Sequence, residues 1–256
     1  MPTISVVVGG TRRVGRWVSE ALLVAGHRVH AIYGFDQGSA FGFANDMRDA
    51  EYELKVHQAD ALQEAQLRTV MDAIAQAEGG INVLVNSWGP SVFGPLADTS
   101  ASELEGMFRG NVLSVHNSVR AALPYLREAG RAANNEAPQE SDRPSGGRIV
   151  NFLTAASDTG RAFRDIGAYG AAKAMLSSYS RSLAKELAPD GVTVNCISLG
   201  VAAHSPEGVP EIDPAKIPSG RFVNEEDIAA ALWYLTSPPA SQVTGTVINL
   251  GGGFNL

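Results

Sequence analysis

The sequence predicts an α/β fold in which one parallel sheet is covered by helices on both faces. Seven short runs rich in apolar residues recur along the 256 residues, and a helical pattern or a loop separates each run from the next. Continuous apolar runs of this kind are typical of parallel strands that are buried on both sides. A glycine-rich loop follows the first run, and the chain shows no internal repeat. These observations favour a single doubly wound domain over residues 1–256.

In the first half of the chain, the apolar runs predict strands at residues 4–8, 28–33, 52–57 and 81–85. Apolar residues at helical spacing predict helices beginning near Val14 and over 62–77, and one long helix over 100–126. Residues 35–47 are poorly periodic and contain two glycines, so we expect a loop with at most a short helix there.

In the second half, strands are predicted at 148–153, 192–199 and 246–250, and helices over 168–187 and 225–235. Residues 128–147 are polar and lack a periodic face, which indicates a surface insertion. Residues 201–222 contain four prolines and little pattern. We interpret this segment as a lid over the substrate.

The composition indicates a globular protein and argues against several classes of function. A net charge of −7 without a basic stretch argues against nucleic-acid binding. The single cysteine, Cys196, excludes an intrachain disulfide and lies in an apolar run, where a buried structural thiol is expected. The residues after Met1 show neither a basic segment nor a long apolar one. We therefore expect a cytoplasmic protein with no signal peptide, no membrane span and no metal site.

The loop at residues 9–15, Gly-Gly-Thr-Arg-Arg-Val-Gly, joins the first strand to the first helix. Glycines at its two ends let the backbone approach a diphosphate, and the start of the helix presents unpaired N–H groups to it. A strand, a glycine loop, a helix and a second strand in this order begin a dinucleotide-binding fold of the Rossmann type. The spacing is not Gly-x-Gly-x-x-Gly, so an ordinary glycine turn explains the loop equally well.

Tyr169 and Lys173 stand four residues apart at the start of a predicted helix, so their side chains project from the same face. An ammonium about 4 Å from the phenol, at an effective dielectric constant near 20, is worth roughly 4 kcal/mol. That energy would bring the pKa of Tyr169 from about 10 to about 7, where a general acid or base works best. A half-buried tyrosine beside a solvated lysine is the alternative, because one such spacing arises easily by chance.

Four separated motifs resemble those of the short-chain dehydrogenase/reductase family along nearly the whole chain. They are the glycine loop at 9–15, Asn-Ser-Trp-Gly at 86–89, Tyr-x-x-x-Lys at 169–173 and Asn-Cys-Ile-Ser-Leu-Gly at 195–200. The ending at 243–252 also resembles the last strand and turn of the family. The resemblance implies one Rossmann-type domain that binds a nicotinamide dinucleotide.

By this resemblance, Tyr169 donates or accepts the substrate proton, and Lys173 lowers its pKa and binds the nicotinamide ribose. Asn111 would hold a water that leads to Lys173; a polar helix residue bonded to a nearby carbonyl is the alternative. Asp60, after the third strand, would hold the adenine. The implied cofactor contacts are Gly9, Thr11, Arg12, Arg13, Val14, Gly15, Asp60, Ala61, Asn86, Ser87, Tyr169, Lys173 and Gly200.

The serine that the family usually places before its tyrosine has no direct counterpart, since the position thirteen residues before Tyr169 holds Ala156. Counting forward from the fifth strand places Thr154 there instead, and a threonine hydroxyl gives the same hydrogen bond to a carbonyl oxygen. Ser157 is the other candidate. We favour Thr154, because strand ends hold side chains more rigidly than loops do.

Arg13 replaces the middle glycine that is usual in the family's loop, and Gly-Gly-x-Arg-Arg-Val-Gly resembles the pteridine reductases, a branch of this family. The planar fork of arginine suits phosphate, so Arg12 and Arg13 favour NADPH with its 2′-phosphate. The second strand ends in Tyr33-Gly34 without the carboxylate that binds a free ribose hydroxyl, although Asp36 is close by. A solvated helix start is the alternative for both arginines.

Two further departures from the family pattern concern the substrate. Trp88 replaces a small residue, and its flat ring would either stack on a planar substrate or fill space in the core. His204 replaces a threonine in the lid, where it would either contact an anionic substrate or remain an exposed loop histidine.

The sequence thus predicts an NADPH-dependent oxidoreductase that reduces a carbonyl or imine group of a small molecule, with Tyr169 as proton donor and Thr154 polarising the acceptor. The alternative substrates are a pteridine or dihydrofolate-type ring and a 3-oxoacyl thioester. A dinucleotide-binding regulator without turnover is a third alternative, supported by the displaced serine. Because the family commonly pairs its two longest helices, here 100–126 and 168–187, the resemblance also implies a homodimer or homotetramer.

Overall fold

The computed structural model describes residues 2–135, 146–157, 162, 164–202 and 212–254. Its centre is one sheet of seven strands, all paired in parallel, with the order β3-β2-β1-β4-β5-β6-β7. The strands are β1 (Ile4–Val8), β2 (Arg28–Tyr33), β3 (Leu54–Gln58), β4 (Val83–Asn86), β5 (Arg148–Thr154), β6 (Thr193–Leu199) and β7 (Val247–Leu250). The predicted fold class is therefore confirmed.

Helices cover both faces of this sheet. They are α1 (Arg13–Val24), α2 (Gln37–Asp49), α3 (Glu64–Glu78), α4 (Ala101–Phe108), α5 (Ser114–Asn135), α6 (Gly167–Leu187) and α7 (Glu225–Thr236), with a π-helical turn at Arg109–Leu113 between α4 and α5. Single 3-10 turns lie at Leu96–Asp98, Ala155–Ser157, Ala188–Asp190, Pro214–Lys216 and Pro238–Gln242.

Two apolar clusters fill the space between the sheet and its two helical layers. On one face α3, α5 and α6 pack against the strands, with Leu67, Leu126 and Leu176 fully buried. On the other face α1, α2 and α7 do the same, and Leu22 and Leu232 are fully buried. The strands are buried on both sides, which is why they appear in the sequence as continuous apolar runs.

The strand order reverses between β1 and β4, which neighbour each other although β2 and β3 lie between them in the chain. At such a switch point the loops after the two strands diverge and leave a crevice at the carboxyl edge of the sheet. The glycine loop follows β1, and residues 87–89 follow β4. The fold thus brings two of the sequence motifs to one crevice.

The expectation of a loop over 35–47 is wrong, since α2 occupies Gln37–Asp49. Two features outweigh its glycines. The Asp36 carboxylate accepts a hydrogen bond from the Ser39 amide (3.0 Å) and caps the helix, and Ala40 and Phe43 are buried against the sheet.

The long helix predicted over 100–126 is interrupted by the π-helical turn and continues to Asn135. The first part of the predicted insertion at 128–147 is therefore helical, while residues 136–145 lie outside the described part of the chain. Two anchors hold this polar end of α5. Arg127 and Arg131 pair with Asp190 at 2.8 and 2.7 Å, and Gly130 packs against the backbone of Gly191.

Within the described ranges, no helix combines the length and hydrophobicity that crossing a bilayer requires. The same residues include no cluster of three or more histidine, cysteine or acidic side chains placed to hold a metal ion.

Candidate active site

The glycine loop turns tightly enough that two of its positions require glycine. Gly9 has a φ of +77°, in the left-handed region that favours glycine. A Cβ atom on Gly15 would lie 1.9 Å from the Gly9 carbonyl oxygen, so no side chain fits there. This close approach of helix to loop is the geometry that a dinucleotide turn requires.

Helix α1 begins without a side-chain cap. Its N-cap residue is Arg12, whose guanidinium can only donate hydrogen bonds and so cannot accept one from the helix backbone. Arg13 follows with a φ of +49°, a left-handed conformation that costs a non-glycine residue about 1 kcal/mol. Thr11 is buried within the loop, and Val14 packs against the apolar core. The first N–H groups of α1 have no side-chain cap, which is a feature of helix starts that bind anions.

Arg12 already has an anionic neighbour in the protein itself, since its Nη1 lies 2.9 Å from the Asp36 carboxylate. Both side chains are about half exposed, so water screens this pair. Hydrogen bonds from the Ser39 amide and hydroxyl, together with Arg12, hold the pKa of Asp36 below its ordinary value. A phosphate that recruits Arg12 would have to compete with Asp36.

The loop after β3 is fixed by its own side chains. Asp60 accepts a hydrogen bond from the Leu62 amide (2.9 Å), and its own amide donates to the Gln66 side chain (2.9 Å). The carbonyl of buried Ala61 accepts from Asn117 on α5 (3.2 Å). The structure thus places Asp60 and Ala61 at the carboxyl end of β3, on the same edge of the sheet as the glycine loop.

Asn86 at the end of β4 is buried and bonded within the protein. Its Nδ2 donates to Asn151 Oδ1 on β5 (2.9 Å), and its Oδ1 accepts from Ser118 on α5 (2.6 Å). Asn151 in turn donates to Ser180 on α6 (2.9 Å). Ser87 donates to the Val8 carbonyl (2.9 Å) and ties β4 to β1. The signal that sequence analysis overlooked is Asn151, an amide inside an otherwise apolar strand.

Lys173 is buried on α6 and donates a hydrogen bond from Nζ to the carbonyl oxygen of Phe152 on β5 (2.8 Å). Burial lowers the pKa of Lys173 to about 8, so the ammonium is still the main form at neutral pH. The remaining two N–H bonds of Nζ are available to the crevice.

The ring of Tyr169 lies beside this lysine, with Nζ 5.7 Å from the ring centroid. Tyr169 packs against an apolar cluster of Met107, Ala168 and Ala172, as does Val92. Burial raises the pKa of Tyr169 to about 12. The predicted value near 7 is therefore wrong for the protein alone, because burial desolvates the phenolate and this effect outweighs the nearby ammonium.

The π-helical turn places Asn111 in the crevice with a fixed amide orientation. Nδ2 donates to the carbonyl oxygens of Pro90 (2.9 Å) and Met107 (3.0 Å), so both of its hydrogens are used. Oδ1 is buried and accepts no hydrogen bond from the residues that the structure describes. A Cβ atom on Gly89 would lie 2.2 Å from Asn111 Oδ1 and 3.5 Å from Lys173 Nζ, so these two atoms are at most about 6 Å apart. One water molecule bridges such a gap.

Thr154 is the last residue of β5, two residues beyond the Phe152 carbonyl that holds Lys173. The 3-10 turn Ala155–Ser157 follows directly and contains Ala156. The hydroxyl of Ser157 donates to the Thr154 carbonyl oxygen (2.6 Å), so its proton is engaged in the turn.

A family model described as enoyl-(acyl carrier protein) reductase matches residues 11–255. The rhamnolipids biosynthesis 3-oxoacyl-[acyl-carrier-protein] reductase of Pseudomonas aeruginosa is 32% identical, covering 99% of this chain and 96% of its own. The chain belongs to the short-chain dehydrogenase/reductase family.

Two solved structures are similar over the whole length of this short-chain dehydrogenase/reductase. The Pseudomonas aeruginosa RhlG/NADP active-site complex is 32% identical with a TM-score of 0.83, covering 99% of this chain and 96% of the other. A blue fluorescent protein from a metagenomic library, in complex with NADPH, is 25% identical with a TM-score of 0.81, covering 98% and 97%.

Three further site residues were predicted for this short-chain dehydrogenase/reductase, and the structure describes two of them, Trp88 and Gly200. Trp88 is 38% exposed; its backbone abuts Gly9, and its ring reaches toward Gly110 in the π-helical turn. Gly200 follows β6 and packs against the backbone of Gly251. A Cβ atom on Gly200 would lie only 2.8 Å from the Cα atom of Gly251. His204 lies outside the described residues, as do the other residues of 203–211 within the predicted lid at 201–222.

The structure brings Tyr169, Lys173 and Asn111 together beside Gly89, at the carboxyl ends of β4 and β5. Gly89 and the Phe152 carbonyl have roles that sequence analysis missed. For Gly89 a signal existed, since it closes the 86–89 motif. The Phe152 carbonyl is a backbone group, and no residue type marks it.

Proposed function

We propose that this short-chain dehydrogenase/reductase is an NADPH-dependent oxidoreductase that reduces the carbonyl group of a small molecule. The observation that carries the proposal is the assembly around Gly89, where Asn111 Oδ1 and Lys173 Nζ both approach the same backbone position. Tyr169 lies one helical turn before Lys173, with its ring beside Nζ. A phenol, a buried ammonium and a free amide oxygen in one crevice suit proton delivery to a reacting oxygen.

In this proposal Tyr169 gives its proton to the carbonyl oxygen as the alcohol forms. A pKa of about 12 keeps the phenol protonated at neutral pH, which a donor in the reductive direction needs. Lys173 uses one N–H bond to hold the Phe152 carbonyl. A second N–H bond, through a water held by Asn111 Oδ1, gives the site a route for replacing the proton that Tyr169 loses.

Thr154 is proposed to donate its hydroxyl hydrogen bond to the substrate carbonyl. Its place at the end of a central strand supports this role, because the strand fixes its backbone. Ser157 is the weaker candidate, since its hydroxyl proton already bonds the Thr154 carbonyl oxygen.

The residues present fit a nicotinamide dinucleotide, which supplies the hydride when bound. The close packing of Gly15 against Gly9 brings the start of α1 against the loop, and the uncapped start of α1 suits a diphosphate. Arg12 and Arg13 are proposed to hold a 2′-phosphate, which favours NADPH. The NADP and NADPH complexes among the similar structures support this choice. Remaining proposed contacts are Thr11, Val14, Asp60, Ala61, Asn86, Ser87, Tyr169, Lys173 and Gly200.

A 3-oxoacyl thioester is the second candidate substrate, because the matching family model and the P. aeruginosa relative both carry acyl-carrier-protein reductase names. The pteridine alternative depends on Arg13 alone. A simple ketone needs only the proton donor Tyr169, the ammonium of Lys173 and the hydroxyl of Thr154.

The test is NADPH oxidation by the purified protein over a panel of simple ketones, quinones, 3-oxoacyl thioesters and dihydropterins, with NADH in parallel. We expect turnover of at least one carbonyl substrate and a higher kcat/KM with NADPH. Tyr169→Phe should lower kcat by about 10²–10⁴-fold, the usual contribution of a positioned general acid, while NADPH affinity changes little. A preference for NADH would overturn the cofactor assignment, and NADPH binding without any turnover would support the regulator instead.

A further inference from the structure

A cavity of about 170 Å³ lies at the amino edge of the sheet, where β5 and β6 begin. Arg148 and Thr193, the first residues of these two strands, form part of its wall. Thr154 is six residues further along β5, about 20 Å away at the rise of a parallel strand. The cavity is therefore separate from the crevice that holds Tyr169.

Arg148 is a buried cation with an unsatisfied N–H group. The residue is 2% exposed, its Nε finds no hydrogen-bond partner among the described residues, and its Nη1 donates to the carbonyl oxygen of the neighbouring Gly147 (3.1 Å). Among the described residues no carboxylate pairs with it. Burial lowers the pKa of Arg148 to about 10, so the guanidinium is charged at neutral pH.

Thr193 is the direct neighbour of Arg148 across the sheet, since the two residues are paired in the register of β5 and β6. Paired residues of adjacent strands project to the same face. Thr193 is 4% exposed, and its buried hydroxyl oxygen also has no hydrogen-bond partner in the described part of the chain. Two unsatisfied polar groups thus face one cavity side by side.

Arg148 is the one charged side chain in the described lining of this cavity. That described lining therefore contains no acidic side chain. Asp190 lies in the turn that contributes part of the lining, but its carboxylate is already paired with Arg127 and Arg131. The pKa of Asp190 is held below its ordinary value, first by its hydrogen bond with Arg131. The charge of Arg148 is therefore not balanced by this acid.

A buried guanidinium and a buried hydroxyl without partners are costly unless something bonds them. The fork of arginine matches two oxygens of a phosphate or carboxylate, and the threonine hydroxyl adds a further donor. A metal cation would be repelled, and an apolar molecule would leave both groups unsatisfied. We propose that this cavity binds a small oxyanion, of the size of phosphate or a short carboxylate, through Arg148 and Thr193.

Thermal unfolding tests the proposal in buffers of constant ionic strength, with chloride replaced by inorganic phosphate or by malonate. We expect one of these oxyanions to raise the melting temperature of the wild-type protein by several degrees. Arg148→Met should weaken the apparent affinity of the protein for that anion by about tenfold. Phosphate can also bind at the glycine loop, and that site stays intact in the variant, so the difference between the two proteins isolates the cavity.

Thr193→Val is the second variant, in case Arg148→Met does not fold. It removes a buried hydroxyl without changing the side-chain shape, so we expect unchanged or higher stability in chloride and a weaker response to the oxyanion. Arg48→Gln is the matched control, because Arg48 is an exposed arginine on α2 that bonds only the Asn45 side chain in the described structure. It should respond like the wild type.

Equal responses of all four proteins to phosphate and to malonate would overturn the proposal. Crystals soaked in selenate give an independent answer through the anomalous signal of selenium. A selenate within hydrogen-bond distance of Arg148 supports the site, whereas selenate only at the glycine loop contradicts it.

Discussion

Strand β5 has a buried cation at each end, and the two are placed alike. Lys173 donates to the Phe152 carbonyl near the carboxyl end, and Arg148 donates to the Gly147 carbonyl just before the amino end. Both are at most 5% exposed, and burial lowers the pKa of both. In the described part of the chain, neither is paired with a carboxylate.

The two ends differ in the polar atoms that remain free beside the cation. Near Lys173 the free atom is an acceptor, Asn111 Oδ1, which complements an N–H bond of the ammonium through a single water. Beside Arg148 the free groups are a guanidinium N–H and the hydroxyl of Thr193, both of which donate. The first arrangement suits relay of a proton, and the second suits an anion. The kind of atom left unbonded therefore says more about function than the buried charge does.

Replacing the lysine gives the largest expected effect and separates activity from stability. Lys173→Met should lower kcat by about 10³-fold, since the ammonium that supports Tyr169 is lost. The free energy of unfolding should change by no more than about 1 kcal/mol, because an apolar side chain avoids the cost of a buried charge while Phe152 loses one hydrogen bond. Steady-state kinetics and urea unfolding measure the two quantities. If the variant kept its activity, the role of Lys173 would be structural and not catalytic.

Gly89→Ala should have the next largest effect, because its Cβ would lie 2.2 Å from Asn111 Oδ1 and must displace that side chain. We expect about a 10²-fold loss of kcat, the scale of a misplacement of about 1 Å in a catalytic group. Gly42→Ala on α2 is the matched control, since nothing lies within 4 Å of its Cβ position. It should leave kcat unchanged and stabilise the helix by about 0.5–1 kcal/mol. Equal activity of both variants would argue against the Asn111 relay.

The smallest effect is expected from pH and concerns the charge of Lys173. Its folded pKa of about 8 means that the ammonium is present below pH 8 and is lost above it. The kcat/KM for reduction should therefore be level up to about pH 8 and fall roughly tenfold per pH unit beyond it. Tyr169, with a pKa of about 12, does not titrate in this range. A profile that is flat to pH 10 would show that the charge of Lys173 is not needed.

Much of the fold could be predicted because the strands are apolar on both faces and the motif residues sit at strand ends. The helix α2 was missed, since its stability depends on the Asp36 cap and on two buried residues rather than on periodicity. Arg148 also looked ordinary in the sequence, because a strand that starts with arginine is usually solvated there. Its burial depends on how α5 and the turns at 188–193 and 238–244 close over the strand.

The proximity of Tyr169 and Lys173 was predicted, but the direction of the pKa change in Tyr169 was not. The spacing of Tyr169 and Lys173 indicated that the two side chains share a helix face, and the structure places them side by side. The pKa of Tyr169 rises because burial desolvates the phenolate, and the ammonium of Lys173 is bonded to the Phe152 carbonyl. Neither burial nor a backbone partner is visible in a spacing rule.

The π-helical turn at Arg109–Leu113 has a consequence for the length of this part of the chain. A π-helical turn takes up one extra residue by widening, so the residues after it keep the faces that they would have in a continuous α-helix without that residue. Val115 and Val119 lie in the core after the turn, and Asn111 lies within the turn itself. Losing a single residue between 109 and 113 would therefore leave the apolar side of α5 against the sheet and change only the turn that holds Asn111.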